Sequence, residues 1–355
     1  MKEKRKPVSE RLPKLAASIA LVAILMAGGA TNRIQAKEWQ ALVGSESLGG
    51  GDQALAFMPN ELWIQAGDSI RWTYPTHERH TVTFLTSSQT RPALFGPTFG
   101  VEVGCPGATP DGASFDGSAC VHSGILLLDE DTLTTVNAPT YSVTFPKSGN
   151  FKFVCLAHAD MTGVVHVLNA SETLPHDQDF YDRQALTEGA LLLAEASRLR
   201  GRGTNEVEGL LPSNGVTAGV GEIVTTNGAG SKTVSLMLFL RNTIEVRVGD
   251  TVEWTSLDPS INHTVTFGTE PADPRPASSG VTLASDGARQ AVIASPSQSV
   301  NSGYLSPAPQ DRSGLAPSAP GVTRFRVTFT TPGTFNYICA IHDTLGMEGT
   351  VIVQP

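Results

Sequence analysis

Two short stretches of the sequence place a Cys, a His and a Met close together in the same order. The first runs from Cys155 through His158 to Met161, and the second from Cys339 through His342 to Met347. Each follows an aromatic, strand-like segment and is followed by Gly and Val. A thiolate, an imidazole and a thioether on one loop are soft donors that suit copper, which cycles between two oxidation states. The pattern therefore indicates a copper loop that occurs twice in one chain.

A second repeated segment supplies one more His to each loop. The sequence His-Thr-Val-Thr-Phe begins at His80 and again at His263. Side chains alternate faces along a strand, so each His shares the apolar face of the Val and Phe that follow. A blue (type 1) copper site needs two His and one Cys in a plane, with a weak axial Met. The sequence thus offers two complete ligand sets: His80, Cys155, His158 and Met161, and His263, Cys339, His342 and Met347.

The internal repeat extends beyond these ligands. Residues 57–73 and 239–255 align and share a Gly-Asp pair and a Trp-Thr pair at the same spacing. Apolar and polar residues alternate on both sides of the Gly-Asp pair, and we interpret each segment as a β-hairpin with one buried face. Many short strands separated by turn residues predict an all-β protein, with two β-sandwiches in tandem.

The segment between the two copies has a different composition. Residues 182–200 are rich in Ala, Leu, Glu and Arg and lack Pro, which predicts a helix that ends near Gly201. We expect its apolar face, formed by Leu186, Leu193 and Ala196, to pack on one of the domains. The predicted organisation is a first domain at 37–170, a linker with a helix at 171–205, and a second domain at 206–355.

The N-terminus carries the pattern of a secretory signal peptide. A basic head precedes an uncharged apolar run of 16 residues, Leu15 to Ala30, which ends in small residues. We assign residues 1–36 to the signal peptide and expect an exported protein, periplasmic or extracellular. A retained membrane anchor is the alternative, but the run is short for a bilayer span. After cleavage we expect no stable membrane insertion.

The charge of the chain bears on its partners. The net charge is −9; residues 1–36 hold seven of the 25 basic and two of the 34 acidic residues, which leaves 18 against 32 and a charge of −14. No basic cluster stands out downstream of the N-terminus, so nucleic acid is not expected as a partner. The acidity favours redox partner proteins with a cationic docking surface.

The remaining Cys and His residues have simpler interpretations. Cys105 and Cys120 share a loop rich in Gly, Pro and Ser, and in an oxidising compartment we expect them to form a disulfide. A second metal site at this pair would need further ligands, and only His122 is close. Because Asn301 is the repeat counterpart of His122, we do not expect His122 to be a ligand. His77 has no counterpart, and we expect it at the surface rather than in a second copper site.

The two ligand sets resemble the cupredoxin family, in particular the plastocyanin–amicyanin–pseudoazurin group. The resemblance covers residues 40–168 and 213–354 and implies two Greek-key β-sandwich domains joined by a helical linker. The first loop has the short Cys-x2-His-x2-Met spacing typical of amicyanin, and the second has the longer spacing typical of plastocyanin and pseudoazurin. The family usually has Pro before the loop His, where this chain has Ala157 and Ile341. In this family the loop with this His comes nearest the surface, so the resemblance implies that electrons leave at the end of each domain that carries His158 or His342.

Three functions fit two such domains. An electron carrier with two type 1 copper ions needs no substrate pocket and is our first expectation, without enzyme activity. Copper nitrite reductases and multicopper oxidases also resemble paired cupredoxins, but they use a His directly beside the blue-copper Cys. Here Val154 and Leu156 flank Cys155, and neither neighbour of Cys339 is a His. A site between subunits, built from His77 or His122, stays open as an alternative.

Copper storage or delivery is the third function. Delivery proteins tend to have exposed sites rich in Met or Cys, whereas these ligands follow strands that are predicted to be buried. The chain also has only six Met residues.

Overall fold

A computed structural model describes residues 35–97, 105, 107–126, 140–306 and 321–355. The predicted signal peptide lies almost entirely outside these residues, and so do parts of the long inserts in both domains. Among the described residues, no helix is both long and apolar enough to cross a membrane.

The described residues of the first repeat form ten strands that divide into two sheets. The strands are β1 Glu38–Glu46, β2 Asp52–Met58, β3 Glu61–Gln65, β4 Ser69–Thr73, β5 Thr83–Phe84, β6 Ala113–Ser114, β7 Val121–His122, β8 Thr140–Thr144, β9 Gly149–Val154 and β10 Thr162–Leu168. One sheet has the order β2-β1-β4-β8-β6 and the other the order β3-β10-β9-β5-β7.

The described residues of the second repeat form eleven strands, which also divide into two sheets. The strands are β11 Gly215–Asn227, β12 Gly230–Leu240, β13 Thr243–Arg247, β14 Thr251–Leu257, β15 Thr266–Phe267, β16 Thr282–Leu283, β17 Arg289–Ile293, β18 Val300–Asn301, β19 Arg324–Phe329, β20 Gly333–Ile338 and β21 Glu348–Gln354. One sheet has the order β16-β17-β19-β14-β11-β12 and the other the order β13-β21-β20-β15-β18. The predicted fold class, all-β with two Greek-key sandwiches and a helix between them, is confirmed.

The segment around Gly67 and Asp68 is not the β-hairpin that the sequence suggested. β3 pairs with β10, whereas β4 pairs with β1 and β8, so the turn carries the chain from one sheet to the other. The same crossing occurs at Gly249-Asp250 between β13 and β14. Two strands that face each other across a sandwich bury the same alternating residues as two paired strands, so alternation alone does not separate these arrangements.

The two sandwiches share one continuous sheet of 11 strands. β2 of the first repeat pairs antiparallel with β12 of the second, with Leu55 opposite Thr233 and Asp52 opposite Leu236. Each of these strands would otherwise leave a row of backbone N–H and C=O groups unpaired at a sheet edge. The pairing therefore fixes the two domains relative to each other through the backbone.

The helix α1 spans Gln178–Arg202 and lies on this shared sheet. It is followed by a π-helical turn, Gly203–Val207, and a short α2, Glu208–Leu210. The side chains that α1 buries recur at helical spacing: Tyr181, Ala185, Gly189, Leu192, Ala196 and Leu199.

The contacts of α1 differ from the prediction in two ways. The helix packs on strands of both domains, β1 and β2 as well as β11 and β12, and not on one domain alone. Of the predicted apolar face, Ala196 is buried and Leu193 is half-buried, but Leu186 is 69% exposed. Leu186 lies one position away from the buried stripe, and small residues such as Ala185 and Gly189 occupy that stripe instead. Small side chains let the helix axis approach a flat sheet closely.

Each domain has a bulged glycine beneath the strand His. Gly44 in β1 and Gly219 in β11 lie at register shifts and have φ of +72° and +75°. A Cβ at Gly44 would lie 2.7 Å from Nε2 of His80, and a Cβ at Gly219 would overlap the ring of His263. Both glycines thus provide a backbone conformation that other residues rarely adopt and the space that the imidazole occupies.

We predict that Gly219→Ala lowers the free energy of unfolding by about 2–4 kcal/mol, because it combines left-handed backbone strain with overpacking against His263. Gly249→Ala is the matched control, since Gly249 has φ of +93° and nothing lies within 4 Å of its Cβ position. It should cost about 1 kcal/mol, from backbone strain alone. Urea unfolding of the metal-free variants measures both. Equal losses would show that His263 moves aside at no cost.

Candidate metal centres

The structure brings the predicted Cys and His residues together in two buried clusters. In the first, Sγ of Cys155 lies 4.0 Å from Nδ1 of His80 and 3.6 Å from Nδ1 of His158. In the second, Sγ of Cys339 lies 3.9 Å from Nδ1 of His263 and 3.4 Å from Nδ1 of His342. Among the described residues, these are the two groups of three or more His, Cys, Asp or Glu whose ligand atoms converge.

The loop after each Cys closes in a way that positions the Met. The backbone N–H of Cys155 donates to the carbonyl of Met161 at 2.9 Å, and that of Cys339 donates to the carbonyl of Met347 at 3.0 Å. Both Met side chains are buried, at 2% and 0% exposure. The second loop accommodates its extra residues in a 3-10 turn, Asp343–Leu345, that ends at Gly346.

The Thr that follows each strand His ties the Cys in place. The backbone N–H of Thr81 donates to Sγ of Cys155, and the Thr81 hydroxyl accepts from the N–H of Leu156. Thr264 makes the same two contacts, to Sγ of Cys339 and to the N–H of Ala340. An N–H that points at sulfur favours the thiolate over the thiol. The segment that supplies one His therefore also fixes the Cys that lies 75 or 76 residues after that His.

Both cysteines are poised as thiolates. Burial opposes ionisation, but His158 and then His80 hold the pKa of Cys155 well below its usual range. His342 and His263 act in the same way on the pKa of Cys339. A thiolate is the form of Cys that binds metal.

The loop histidines carry the compensating positive charge. Burial lowers their pKa values, but the thiolates and Glu78 outweigh it, raising the pKa of His158 to about 9 and that of His342 to about 10. In the metal-free protein these protons balance the thiolates. A bound cation would replace them.

The loop histidines are buried where the two domains meet. His158 is 1% exposed and His342 is 2% exposed. Nε2 of His158 donates to one oxygen of Glu78 and Nε2 of His342 to the other, each at 3.2 Å. The loop histidines therefore do not lie at the surface of this chain, although the resemblance to the family places their loops nearest the surface. The route by which electrons leave stays a prediction.

The strand histidines differ in their outer partners. Nε2 of His263 lies 3.3 Å from the buried carboxylate of Asp258, which also accepts N–H bonds from Ser260 and Ile261. Nε2 of His80 is buried and has no hydrogen-bond partner among the described residues. A carboxylate partner fixes the tautomer of a ligand His and increases its basicity. In line with this, the pKa of His263 is raised and that of His80 is lowered, although burial lowers both.

The other candidate residues lie outside the two clusters. Cys105 and Cys120 form the predicted disulfide. His122 is buried and its Nδ1 lies 2.8 Å from the hydroxyl of Thr83, while Asn301 accepts from Thr266 in the same place in the second domain. His77 is half-buried rather than on the open surface, with its ring against Glu46.

Sequence reasoning missed the residues that surround the ligands. Only the fold shows that Glu78 lies beside His158 and His342 and that Asp258 lies beside His263. One signal was available for Glu78. Glu78 stands two positions before His80, and the second repeat has the apolar Ile261 two positions before His263. An acidic residue at a position that is apolar and buried in the other repeat is unusual.

The donor set fits a copper ion. A sulfur and a nitrogen that share one metal, at metal–ligand distances of about 2.0–2.3 Å, lie about 3.5 Å apart. The separations of 3.4–4.0 Å between Sγ and Nδ1 are close to this distance. Two imidazoles, one thiolate and a nearby thioether are the donors of a blue-copper site.

Known proteins resemble a part of this chain about the size of one domain. A plastocyanin from Sambucus nigra is 30% identical over 122 residues, which are 34% of this chain and 95% of that protein. A plastocyanin from Capsella bursa-pastoris is 28% identical over the same proportions. Among solved structures, oxidised plastocyanin from Dryopteris crassirhizoma matches with 19% identity and a TM-score of 0.20, covering 39% of this chain and 99% of that one. The reduced Cu(I) form of an amicyanin variant matches with 16% identity and a TM-score of 0.23, covering 37% and 82%.

The profile of the copper-binding proteins of the plastocyanin/azurin family matches the chain twice, at residues 45–168 and 225–354. Each match contains one Cys/His/His cluster with its Met. The chain therefore belongs to the plastocyanin/azurin family of copper-binding proteins and contains two domains of that family.

Proposed function

We propose that the protein is an exported electron carrier with two type 1 copper sites, one in each domain. The observation that carries the proposal is the pair of buried clusters in which two Nδ1 atoms converge on one Sγ. The ligands of the first site are His80, Cys155, His158 and Met161. Those of the second are His263, Cys339, His342 and Met347.

The bound copper would supply one-electron redox chemistry at each site. The chain's own residues hold the donors before the metal arrives: Thr81 and Thr264 orient the thiolates, and Asp258 and Glu78 orient three of the four imidazoles. A site with ligands fixed in this way needs little rearrangement when the metal changes oxidation state, which favours rapid electron transfer. The burial of both clusters keeps water and small oxidants away.

An oxidoreductase is the alternative function, and it receives less support. Neither Cys has a His beside it in the sequence. The two His residues considered for a further site make other contacts: His122 with Thr83, and His77 with Glu46. Storage or delivery also receives less support, since Cys155 and Cys339 are both fully buried.

Export and an oppositely charged partner are part of the same proposal. The Cys105–Cys120 disulfide favours an oxidising compartment. The charge of −14 outside the predicted signal peptide favours a cationic docking surface on the redox partner. Because His158 and His342 are buried, we expect the partner to approach the sites over another part of each domain.

We predict that residues 37–355 loaded with Cu(II) show an intense blue thiolate band, and that electron paramagnetic resonance counts two type 1 ions per chain and no type 2 ion. Cys155→Ser and Cys339→Ser should each remove about half of the blue absorption, because only the thiolate gives the charge-transfer band. His166→Gln is the control and should leave both bands, since the hydrogen bonds of the His166 ring to described residues go to Asn150 and Glu61, outside both clusters. A colourless protein would refute the proposal, and an added type 2 signal would favour the oxidoreductase.

We also predict that the copper affinity rises with pH. Between neutral pH and the pKa values of about 9 for His158 and about 10 for His342, the metal must displace a proton from each loop His. The apparent affinity should therefore increase as the pH rises towards these values and fall in acid. Chelator competition at several pH values measures the affinity, and calorimetry in buffers of different ionisation enthalpy counts the protons. An affinity that does not change with pH would contradict the charge balance described above.

A further inference from the structure

Glu78 is one carboxylate that contacts both metal clusters. Its Oε1 accepts from Nε2 of His158 in its own domain, and its Oε2 accepts from Nε2 of His342 in the other domain, both at 3.2 Å. Glu78 is 6% exposed. Burying a charge in this way is costly unless it is paired and hydrogen-bonded, and here both oxygens have partners.

The bridge is present once, although the domain is repeated. Ile261 occupies the corresponding position two residues before His263. A carboxylate in only one repeat is sufficient, because a single carboxylate has two oxygens and can serve both loop histidines. The residue two positions further on, His80, belongs to the first ligand cluster, so the same short segment contributes to both centres.

Several contacts hold the two loops at this junction. The Ala159 carbonyl accepts from the hydroxyl of Ser260, and Thr162 donates to the carbonyl of Ala229. On the other side, Leu345 of the second loop packs against Gly50, where a Cβ would lie 2.8 Å from it. Together with the shared sheet, these contacts keep the distance between the loop histidines fixed.

We propose that Glu78 is a positioning residue that connects the two ligand sets, so that electrons pass directly between the domains through His158, Glu78 and His342. This inference rests on the proposed electron-carrier function. The connection consists of two hydrogen bonds and one carboxylate, without a gap filled by solvent.

The exchange is balanced within the molecule. With copper bound, the site that gives the electron would be oxidised from Cu(I) to Cu(II), and the site that takes it would be reduced from Cu(II) to Cu(I). No covalent bond forms or breaks. Each Nε2 keeps its proton, since Nδ1 faces the metal position and Nε2–H remains a donor to Glu78 in both states. The protein thereby acts as a unit in which an electron that enters one domain can leave from the other.

The test compares Glu78→Gln and Glu78→Ile with the wild type. A Gln side chain retains the shape but has one carbonyl acceptor for two N–H donors, so one hydrogen bond is lost. The Ile variant copies the second repeat and loses both. Glu61→Gln is the matched control, since Glu61 also accepts from a His Nε2, that of His166, but at the surface.

Two measurements are made on each protein. Nitrogen-15 NMR of the metal-free and Cu(I) forms follows the Nε2-bound protons of His158 and His342, which should be downfield and slow to exchange in the wild type. Pulse radiolysis of the Cu(II) form reduces a fraction of the sites. The subsequent concentration-independent exchange between the two blue bands is followed at wavelengths assigned with Cys155→Ser and Cys339→Ser.

We expect Glu78→Gln to slow the exchange by at least about tenfold and to lose one of the two protected protons, with both blue bands retained. Glu61→Gln should change neither. An unchanged rate of electron exchange in Glu78→Gln, even with lower thermal stability, would overturn the inference. Glu78 would then only stabilise the contact between the domains. A wild type without blue bands would refute the proposed function instead. The protected protons of the metal-free form would then still report whether the bridge exists.

Discussion

The antiparallel pairing of β2 with β12 is the interaction on which the rest of this structure depends. It joins two sheets, one from each repeat, into a single sheet of 11 strands, and α1 lies across the junction. The register of these two strands is fixed, because a shift by one residue would turn every buried side chain of a strand to the other face of the sheet. The two copper loops consequently meet in a fixed geometry. In that geometry His158 and His342 are covered by protein and reach the same carboxylate.

Charge balance at the junction follows from that burial. Two cysteines with lowered pKa values, Glu78 and Asp258 are all buried, and His158, His342 and His263, whose pKa values are raised, supply positive charge beside them. Removing one member of such a set leaves a buried charge without its partner, which is strongly destabilising. In the metal-free protein the protons of these histidines offset much of the negative charge, and in a metal-loaded protein metal ions would do so. The same arrangement therefore explains the low pKa values of the cysteines and the high pKa values of the loop histidines.

The two repeats preserve the predicted ligands and differ in what surrounds them. Both have a bulged glycine beneath the strand His and a Thr that orients the Cys. Of His80 and His263, His263 alone has a carboxylate partner among the described residues, Asp258, and the second loop contains a 3-10 turn that the first loop lacks. Outer hydrogen bonds and loop structure tune a metal site, so these differences give the two centres unequal environments.

The sequence alone determined the predicted ligand types, their repeated spacing, the all-β class and the disulfide partners. Each of these follows from a short-range sequence pattern: a Cys followed three residues later by a His, a strand that alternates apolar and polar residues, or a pair of Cys residues in one loop. Only the tertiary structure decided that Gly67 and Asp68 turn between sheets and that α1 spans both domains. It also decided that Glu78 serves two centres. Those features depend on which surfaces of the two domains meet. The pairing of two edge strands selects those surfaces, and no local sequence pattern predicts that pairing.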